Sequence, residues 1–390
     1  MTRHTYTDTV DHLVARLQED AAARDLAAGT PLEARRMLRE SGLLNLTIPR
    51  RFGGDGESWL AALDVTRSIA AADSSIAHLL SYHFLGVLIP ALLGSEAQRD
   101  YYYRETVVNG WFWANAMNPR DRRTELTRLE DGAYRLDGVK SFCSGSVDSD
   151  MLPVTARFDG SEELLAVMVP TRRKGVHVKG DWDCMGQRQT DSGAVTFDGV
   201  AVTDQEILRL PKDPHHRVRT TLRVCINQLV FTNIYIGIAR GALSQAVAYV
   251  RRKSQGWGPP PAAPVSEDPY VLGHFGEMAV QLQAAEALVD RANGVLQDGW
   301  DVGTELSEDH RGRIAVAIAA SKVAATKACL DISSRMFDVM GARATLGPLR
   351  NDRFWRNART FTLHDPIDYK VRDVGNWALN EVLPAPGFYG

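Results

Sequence analysis

Gly110-Trp111-Phe112-Trp113-Ala114-Asn115-Ala116 is where the chain changes character. Before it, apolar residues recur with the helical period. After it, to about residue 205, short runs rich in Trp, Phe, Val and Thr alternate with Gly, Asp and Asn turns. Residues 111–116, 124–129, 134–141, 164–169 and 194–202 read as strands, with Asp131-Gly132 and Asp137-Gly138 as turn signals between them.

Working outward, residues 8–28 and 31–40 read as helices, the second with Pro31 near its start and Gly42 just past its end. The turn-rich Arg50-Arg51-Phe52-Gly53-Gly54-Asp55-Gly56 follows, then helical patterning from Ser58 to about Tyr103 with breaks near Asp73 and Pro90. Downstream of the strands, 220–253, 268–297 and 307–340 are long helical stretches suited to a bundle, and the proline-crowded segment 256–264 is the loop between the first two. A shorter helix over 351–363 ends at Asp365-Pro366. Helical block, antiparallel β block, helical block is an α+β order, with domains expected at 1–108, 109–213 and 214–390. No GxGxxG follows a strand and no GxxxxGK[ST] occurs, so the chain has no visible nicotinamide or nucleotide phosphate cradle of its own.

Composition narrows the function. Lys and Arg number 45 against 48 Asp and Glu, a formal net charge of -3, which argues against nucleic acid or an anionic membrane as partner. Arg35, Arg36, Arg39, Arg50 and Arg51 cluster, but interspersed acids make them read as a solvated helix face running into a loop. Cys143, Cys184, Cys225 and Cys329 have no metal-ligand or disulfide-framework spacing, so no metal is expected and a reducing cytoplasm fits. The N-terminus has no apolar signal core. Residues 226–250 are long enough to cross a bilayer, yet Asn227, Gln228, Asn233, Arg240 and Gln245 make a buried helix the better reading.

Several strings carry a resemblance. Leu38-Arg39-Glu40-Ser41-Gly42-Leu43-Leu44 with Ile48-Pro49 and Phe52-Gly53-Gly54, Lys140-Ser141-Phe142-Cys143-Ser144-Gly145, and Phe354-Trp355-Arg356-Asn357-Ala358-Arg359 resemble signatures of the acyl-CoA dehydrogenase superfamily. Met185-Gly186-Gln187-Arg188-Gln189-Thr190-Asp191-Ser192-Gly193, Asn233-Ile234-Tyr235-Ile236-Gly237-Ile238-Ala239, Leu363-His364-Asp365-Pro366 and Pro384-Ala385-Pro386-Gly387-Phe388 are closer to its flavin-dependent monooxygenase branch, typified by dibenzothiophene monooxygenase. The resemblance implies an N-terminal helical domain, a middle antiparallel β-barrel-like domain and a C-terminal four-helix bundle. It implies reduced FMN, with FAD as the alternative, and O2 as co-substrate, reacting through a C4a-hydroperoxyflavin to oxygenate a small heteroatom-containing molecule, sulfur foremost. Nitrogen oxygenation and aromatic hydroxylation are the alternatives.

Dehydrogenation is disfavoured because it needs a glutamate base, and the two slots the superfamily uses hold Asp365, pinned ahead of proline, and Asn227. A flavin-free protein that reuses the fold for binding is the other alternative. The resemblance casts His364 as the active-site histidine, His83 as a second histidine on the substrate side, with His78 nearer to a core role, and Ser144 as a hydroxyl against the flavin. Asn115, Phe142, Trp182 and Arg343 are the further flavin contacts, the arginine toward its phosphate.

Where that branch carries Arg-Pro-Trp, this chain has Gln255-Gly256-Trp257, with Arg252 or Lys253 as a substitute cation. An NAD(P)H:flavin reductase is the expected supplier of reduced flavin. A homotetramer, with the apolar tail at 377–389 docked on a neighbour, is the expected assembly.

Overall fold

In a computed structural model, residues 3–210, 213–252 and 264–387 are described. The first block is α1 (Arg3–Ala27), α2 (Leu32–Glu40), α3 (Trp59–Ala72), α4 (Ser74–Leu93) and α5 (Glu96–Asn109). The break at Asp73 has a physical cause: its carboxylate accepts from the Ser75 and Ile76 amides and so caps α4. Pro90 does not break the helix. It lies in the last turn of α4, which runs on to Leu93, and the Ser95–Gln98 capping box then opens α5.

The β block forms one sheet from β1 (Thr124–Arg128), β2 (Tyr134–Lys140), β3 (Met151–Phe158), β4 (Leu164–Pro170), β5 (Val176–Val178), β6 (Val195–Val202) and β7 (Ile207–Leu208). The order is β5-β6-β2-β1-β3-β4-β7. The expectation of a purely antiparallel sheet needs one correction, because β1 and β3 are parallel, with Glu125 opposite Arg157. A parallel neighbour cannot be reached by a tight hairpin, so the chain leaves β2 and crosses over through residues 141–150. That crossover carries Phe142 and Ser144.

Residues 111–116, expected as a strand, make only isolated parallel bridges, Trp113 with Met151 and Ala116 with Val154. Their backbone is shared between two partners. Ala114 and Ala116 donate to Met151 and Pro153 at 2.9 and 3.0 Å, while Asn115 between them donates to the Ser144 carbonyl at 3.1 Å.

The last block comprises α6 (Pro214–Thr220), α7 (Leu222–Arg252), α8 (Pro269–Val302), α9 (Glu308–Met340), α10 (Asp352–Phe361) and α11 (Ile367–Asn380). α7 packs on α9, α8, α3 and α4, and α11 lies along α9 as a fourth helix. The sequence reading stopped at Asp365-Pro366; Pro366 instead precedes the first turn of α11, a place where proline's missing N–H costs nothing. The apolar stretch at 226–250 is indeed an interior helix.

One apolar core joins the first and last blocks, from Val10, Leu63 and Ile76 to Ile226, Ile234 and Ile332, while Leu126, Leu136, Val154, Val167 and Val195 form a separate core in the sheet. α3 and α7 cross at close range. A Cβ on Gly237 would lie 2.4 Å from that of Ala70, and one on Gly241 2.2 Å from the Ala71 carbonyl oxygen.

Arg35 corrects the reading of a solvated arginine face. It is fully buried, with Nη2 donating to the Asp148 carbonyl at 2.6 Å and Nη1 to that of Gly145 at 3.1 Å, and its guanidinium lies 4.4 Å from the Phe112 ring centroid. It ties α2 to the crossover. Arg36 does stay in solvent, paired with Glu33 and Glu40.

Candidate active site

A cavity of about 590 Å³ opens where the three blocks meet. α4 contributes His78, Tyr82, Leu85, Gly86 and Ile89, spaced so that they share one helical face, and α7 contributes Arg223 and Asn227 one turn apart. Asn115 and Met117 come from the segment before β1, Phe142 and Ser144 from the crossover, Trp182, Met185, Gln187, Thr190 and Ser192 from the loop before β6, and Phe361 and His364 from the end of α10.

A second, larger groove of about 980 Å³ lies between α5, α6 and β7. Its charges are mostly used within the chain, Arg173 with Glu206 and Arg209 with Asp204, and none of the expected site residues lines it. The smaller cavity therefore holds the candidate chemistry.

The loop side of the cavity is held in a conformation that side chains seldom adopt. Phe142, Gln187 and Asp191 have φ of 58°, 53° and 45°, so each is a non-glycine residue in the left-handed region. Internal bonds hold them there. The Gln187 amide donates to Asn357 Oδ1 at 2.7 Å, its carbonyl accepts from Trp182 Nε1 at 2.8 Å, and its side-chain Nε2 donates to Ser74 Oγ at 3.0 Å. Gly186 lies so close to α10 that a Cβ would sit 2.1 Å from the Arg356 carbonyl oxygen. Arg356 bonds the Met185 carbonyl and, with Arg350, the buried Asp25. The Met185–Ser192 and Phe354–Asn357 strings are thus two halves of one fastening.

A hydroxyl chain runs along this side: Ser144 Oγ to Ser192 Oγ at 2.7 Å, then Ser192 to Thr190 Oγ1 at 2.7 Å, with Thr190 donating to the Gln187 carbonyl at 3.0 Å. Phe142 is 61% exposed and meets the Trp182 ring edge-on, with centroids 6.2 Å apart. Two aromatic faces, exposed Met185 and a line of hydroxyls thus border the same space.

His364 comes to the cavity as expected. Its Nδ1 lies 3.2 Å from Asp365 Oδ1, which also accepts from the buried Lys322 ammonium at 2.5 Å. Burial pushes the Asp365 carboxyl up, but the His364 hydrogen bond and the Lys322 charge outweigh it and hold the group below the usual carboxylate range. An ionised carboxylate only accepts, so Nδ1 carries the proton. Asp365 does not line the cavity, which removes it as a base toward bound substrate.

The two histidines of α4 exchange roles relative to the sequence reading. His83 is fully buried away from the cavity: its Nε2 donates to the Leu44 carbonyl at 2.7 Å and its Nδ1 accepts from the Trp113 amide at 3.2 Å. It is a neutral bracket between α4 and the segment before β1, and burial pushes its pKa down to about 4. His78 faces the cavity instead. It stacks on Tyr82 at 4.4 Å and meets Phe361 at 4.7 Å, and neither ring nitrogen has a hydrogen-bond partner among the described residues. Burial, helped by His364, lowers its pKa to about 3, so it is neutral at pH 7.

Arg343 is exposed in the turn after α9 and does not line this cavity. The Gln255-Gly256-Trp257 departure and Lys253 fall outside the described residues.

Three family models cover most of the chain: the acyl-CoA dehydrogenase N-terminal domain matches residues 2–108, the middle domain 115–200 and the C-terminal domain 229–369. A probable FMNH2-dependent monooxygenase of Pseudomonas putida is 44% identical over 378 residues, covering 97% of this chain and 95% of that protein. The chain belongs to the acyl-CoA dehydrogenase family, in its flavin-dependent monooxygenase branch. Among solved structures of the family, the methanesulfinate monooxygenase of Pseudomonas fluorescens matches with a TM-score of 0.94 and 43% identity, covering 98% of this chain and 99% of that one. The dibenzothiophene monooxygenase of Paenibacillus sp. A11-2, solved with FMN and indole, matches with a TM-score of 0.93 and 40% identity over 99% of this chain and 100% of that one. The family's three blocks are the α+β order read from the sequence.

Proposed function

We propose that this chain is the oxygenase of a two-component system that uses reduced FMN and O2 to oxygenate a small sulfur compound. The observation that carries the reading is the cavity's loop side, where exposed Phe142 and Met185 and half-buried Trp182 offer apolar faces beside the Ser144–Ser192–Thr190 hydroxyls. Its relatives at 40–44% identity are monooxygenases, one of them solved with FMN.

The residues fit a flavin. Phe142 and Trp182 would flank the ring system, Ser144 and Asn115 would hydrogen-bond its polar edge, and the buried Gln187 Oε1, without a partner among the described residues, would accept from a ring N–H. When bound, reduced FMN supplies with O2 the oxygen-transfer chemistry. His364, its Nδ1 proton directed at Asp365, presents a fixed imidazole at the cavity wall, and neutral His78 adds a second ring that both donates and accepts. Leu85, Ile89, Met117 and Phe361 exclude water from the space between them.

Arg343, exposed and outside the cavity, would reach the flavin phosphate of a second copy in a homotetramer. Exposed Tyr270, Leu272 and Val280 on α8 and Leu379 on α11 support such self-association. Within the described part of the tail, Leu383 packs on Gly312 of its own chain while Leu379 and Val382 stay exposed and available to a neighbour. A flavin reductase is the partner, and unpaired thiols at all four cysteines fit a cytoplasmic setting.

The test is anaerobic titration with reduced FMN and with reduced FAD, followed by admission of ¹⁸O2 with a sulfide or sulfinate present. Tight binding of reduced FMN and one ¹⁸O atom in the product support the reading. Anaerobic bleaching of oxidised flavin by an acyl-CoA, without oxygenated product, overturns it, and oxygenation driven by NADH alone removes the reductase.

A further inference from the structure

Arg223 stands apart from the other cations near the cavity. Lys322 is paired with Asp365, and Arg356 with Asp25 and Asp352. Arg223 lines the cavity half-buried, and among the described residues it has neither a hydrogen bond nor an ion pair. Asn227, one turn along the same face of α7, also lines the cavity, its side-chain amide without a partner among the described residues. Among the described residues no aspartate or glutamate lines this space, and the other ionisable groups of basic type on its wall are His78 and His364. Tyr82 lies within the electrostatic reach of Arg223 and stacks on His78, so the free guanidinium is at the histidine end of the cavity.

An unpaired cation held partly out of water is costly unless a ligand pairs with it, and burial does lower the Arg223 pKa. The guanidinium fork matches an anion that presents two oxygens side by side.

We infer that Arg223 and Asn227 form the anchor for an anionic head group, and that the substrate is a small organic sulfur anion, a sulfinate, and not a neutral sulfide or thiophene. This rests on the oxygenase reading above. A sulfinate carries both the two-oxygen anion that Arg223 would hold and a sulfur lone pair still open to oxidation. The reaction balances as R–SO2⁻ plus O2 plus reduced flavin giving R–SO3⁻, water and oxidised flavin. The sulfur lone pair forms the new S–O bond, the O–O bond breaks, and the second oxygen leaves as water with the two protons and two electrons that reduced flavin provides.

The experiment is calorimetric titration of the FMN-loaded protein with methanesulfinate, with the unreactive methanesulfonate, and with dimethyl sulfone as a neutral molecule of like size. It is run on wild type, Arg223→Lys and Arg223→Gln, with FMN affinity measured for each. Folding of each variant is checked by its thermal transition.

The expected result is that both anions bind wild type and the sulfone does not. Arg223→Gln weakens the anions about ten- to a hundredfold, Arg223→Lys recovers part of the loss, and FMN affinity stays within about twofold. Equal anion binding by wild type and Arg223→Gln overturns the inference, as does a loss confined to FMN, which would make Arg223 a flavin-phosphate residue. Turnover of dibenzothiophene or dimethyl sulfide with no anion binding overturns it too, while leaving the oxygenase reading intact. Absence of both FMN binding and any oxygenation ends that reading and this inference together.

Discussion

The two sides of the cavity treat their polar groups in opposite ways. On the loop side, Ser144, Ser192, Thr190 and the backbone of Gln187 are bonded to one another or to α10, and the strained turns are fastened from behind by Asn357 and Arg356. On the helical side, His78, Arg223 and Asn227 bring to the cavity polar atoms that nothing among the described residues satisfies. The difference separates what is built in advance from what is left for a ligand to complete. A surface meant to receive the same flat cofactor each time is best rigid, and a surface meant to discriminate substrates needs unspent hydrogen-bonding capacity.

This contrast predicts that fastened groups hold up the fold and unfastened ones do not. The largest effect is expected for Asp365→Ala, which strands the buried Lys322 ammonium. Urea unfolding should show a loss of about 3–5 kcal/mol, and an unchanged midpoint would mean that the pair is solvated and the fastening idea is wrong.

Next comes acid. His78 and His83 have folded pKa values of about 3 and about 4, below the ordinary 6.5, so the unfolded chain takes up protons that the folded chain refuses. Their contribution is fully present above pH 6.5 and is lost as pH falls toward those values, with a slope of up to about 1.4 kcal/mol per pH unit for each histidine. Stability measured from pH 7 to pH 4 should fall accordingly, and His78→Phe should remove one proton's share of the slope.

The same His78→Phe variant sharpens the comparison at pH 7. Replacing two unpartnered buried nitrogens by a ring of similar shape should leave the protein unchanged or about 1 kcal/mol more stable while oxygenation falls at least tenfold. Clear destabilisation would show that His78 is fastened after all. Smallest is Ser192→Ala, which interrupts the hydroxyl chain. It should cost about 1 kcal/mol in thermal or urea unfolding and weaken FMN by a few-fold, and a change in substrate affinity alone would place this chain on the wrong side of the comparison.

Much of this was legible in the sequence because the signals were local. Turn residues, caps and helical periods marked the three blocks, and Asn115, Phe142, Ser144, Trp182 and His364 sit in distinctive strings and do meet at one cavity. What was missed lay on helices buried on every face. α4 is enclosed all round, so its apolar pattern has no solvent side from which to tell His78 from His83, although the two point about 140° apart on the helix. Asn227 was hidden the same way, read as a polar interruption of an interior helix, and Arg223, just ahead of that stretch, carried no signal of its own. The parallel β1–β3 pair depends on a crossover whose partner is far along the chain, and α11 was lost because Pro366 reads equally well as a stop and as a start.

The core shared by the first and last blocks has a consequence for how the chain comes off the ribosome. α4 is synthesised early, and it is so apolar that it cannot rest in water; α3 covers part of it, yet the other helix it packs against, α7, lies beyond the whole sheet. The sheet has its own core and can close in order of synthesis, whereas the N-terminal helices must wait. During that wait α4 is the segment most in need of a chaperone, and a chain terminated after β7 should be captured by one, not released as a folded fragment.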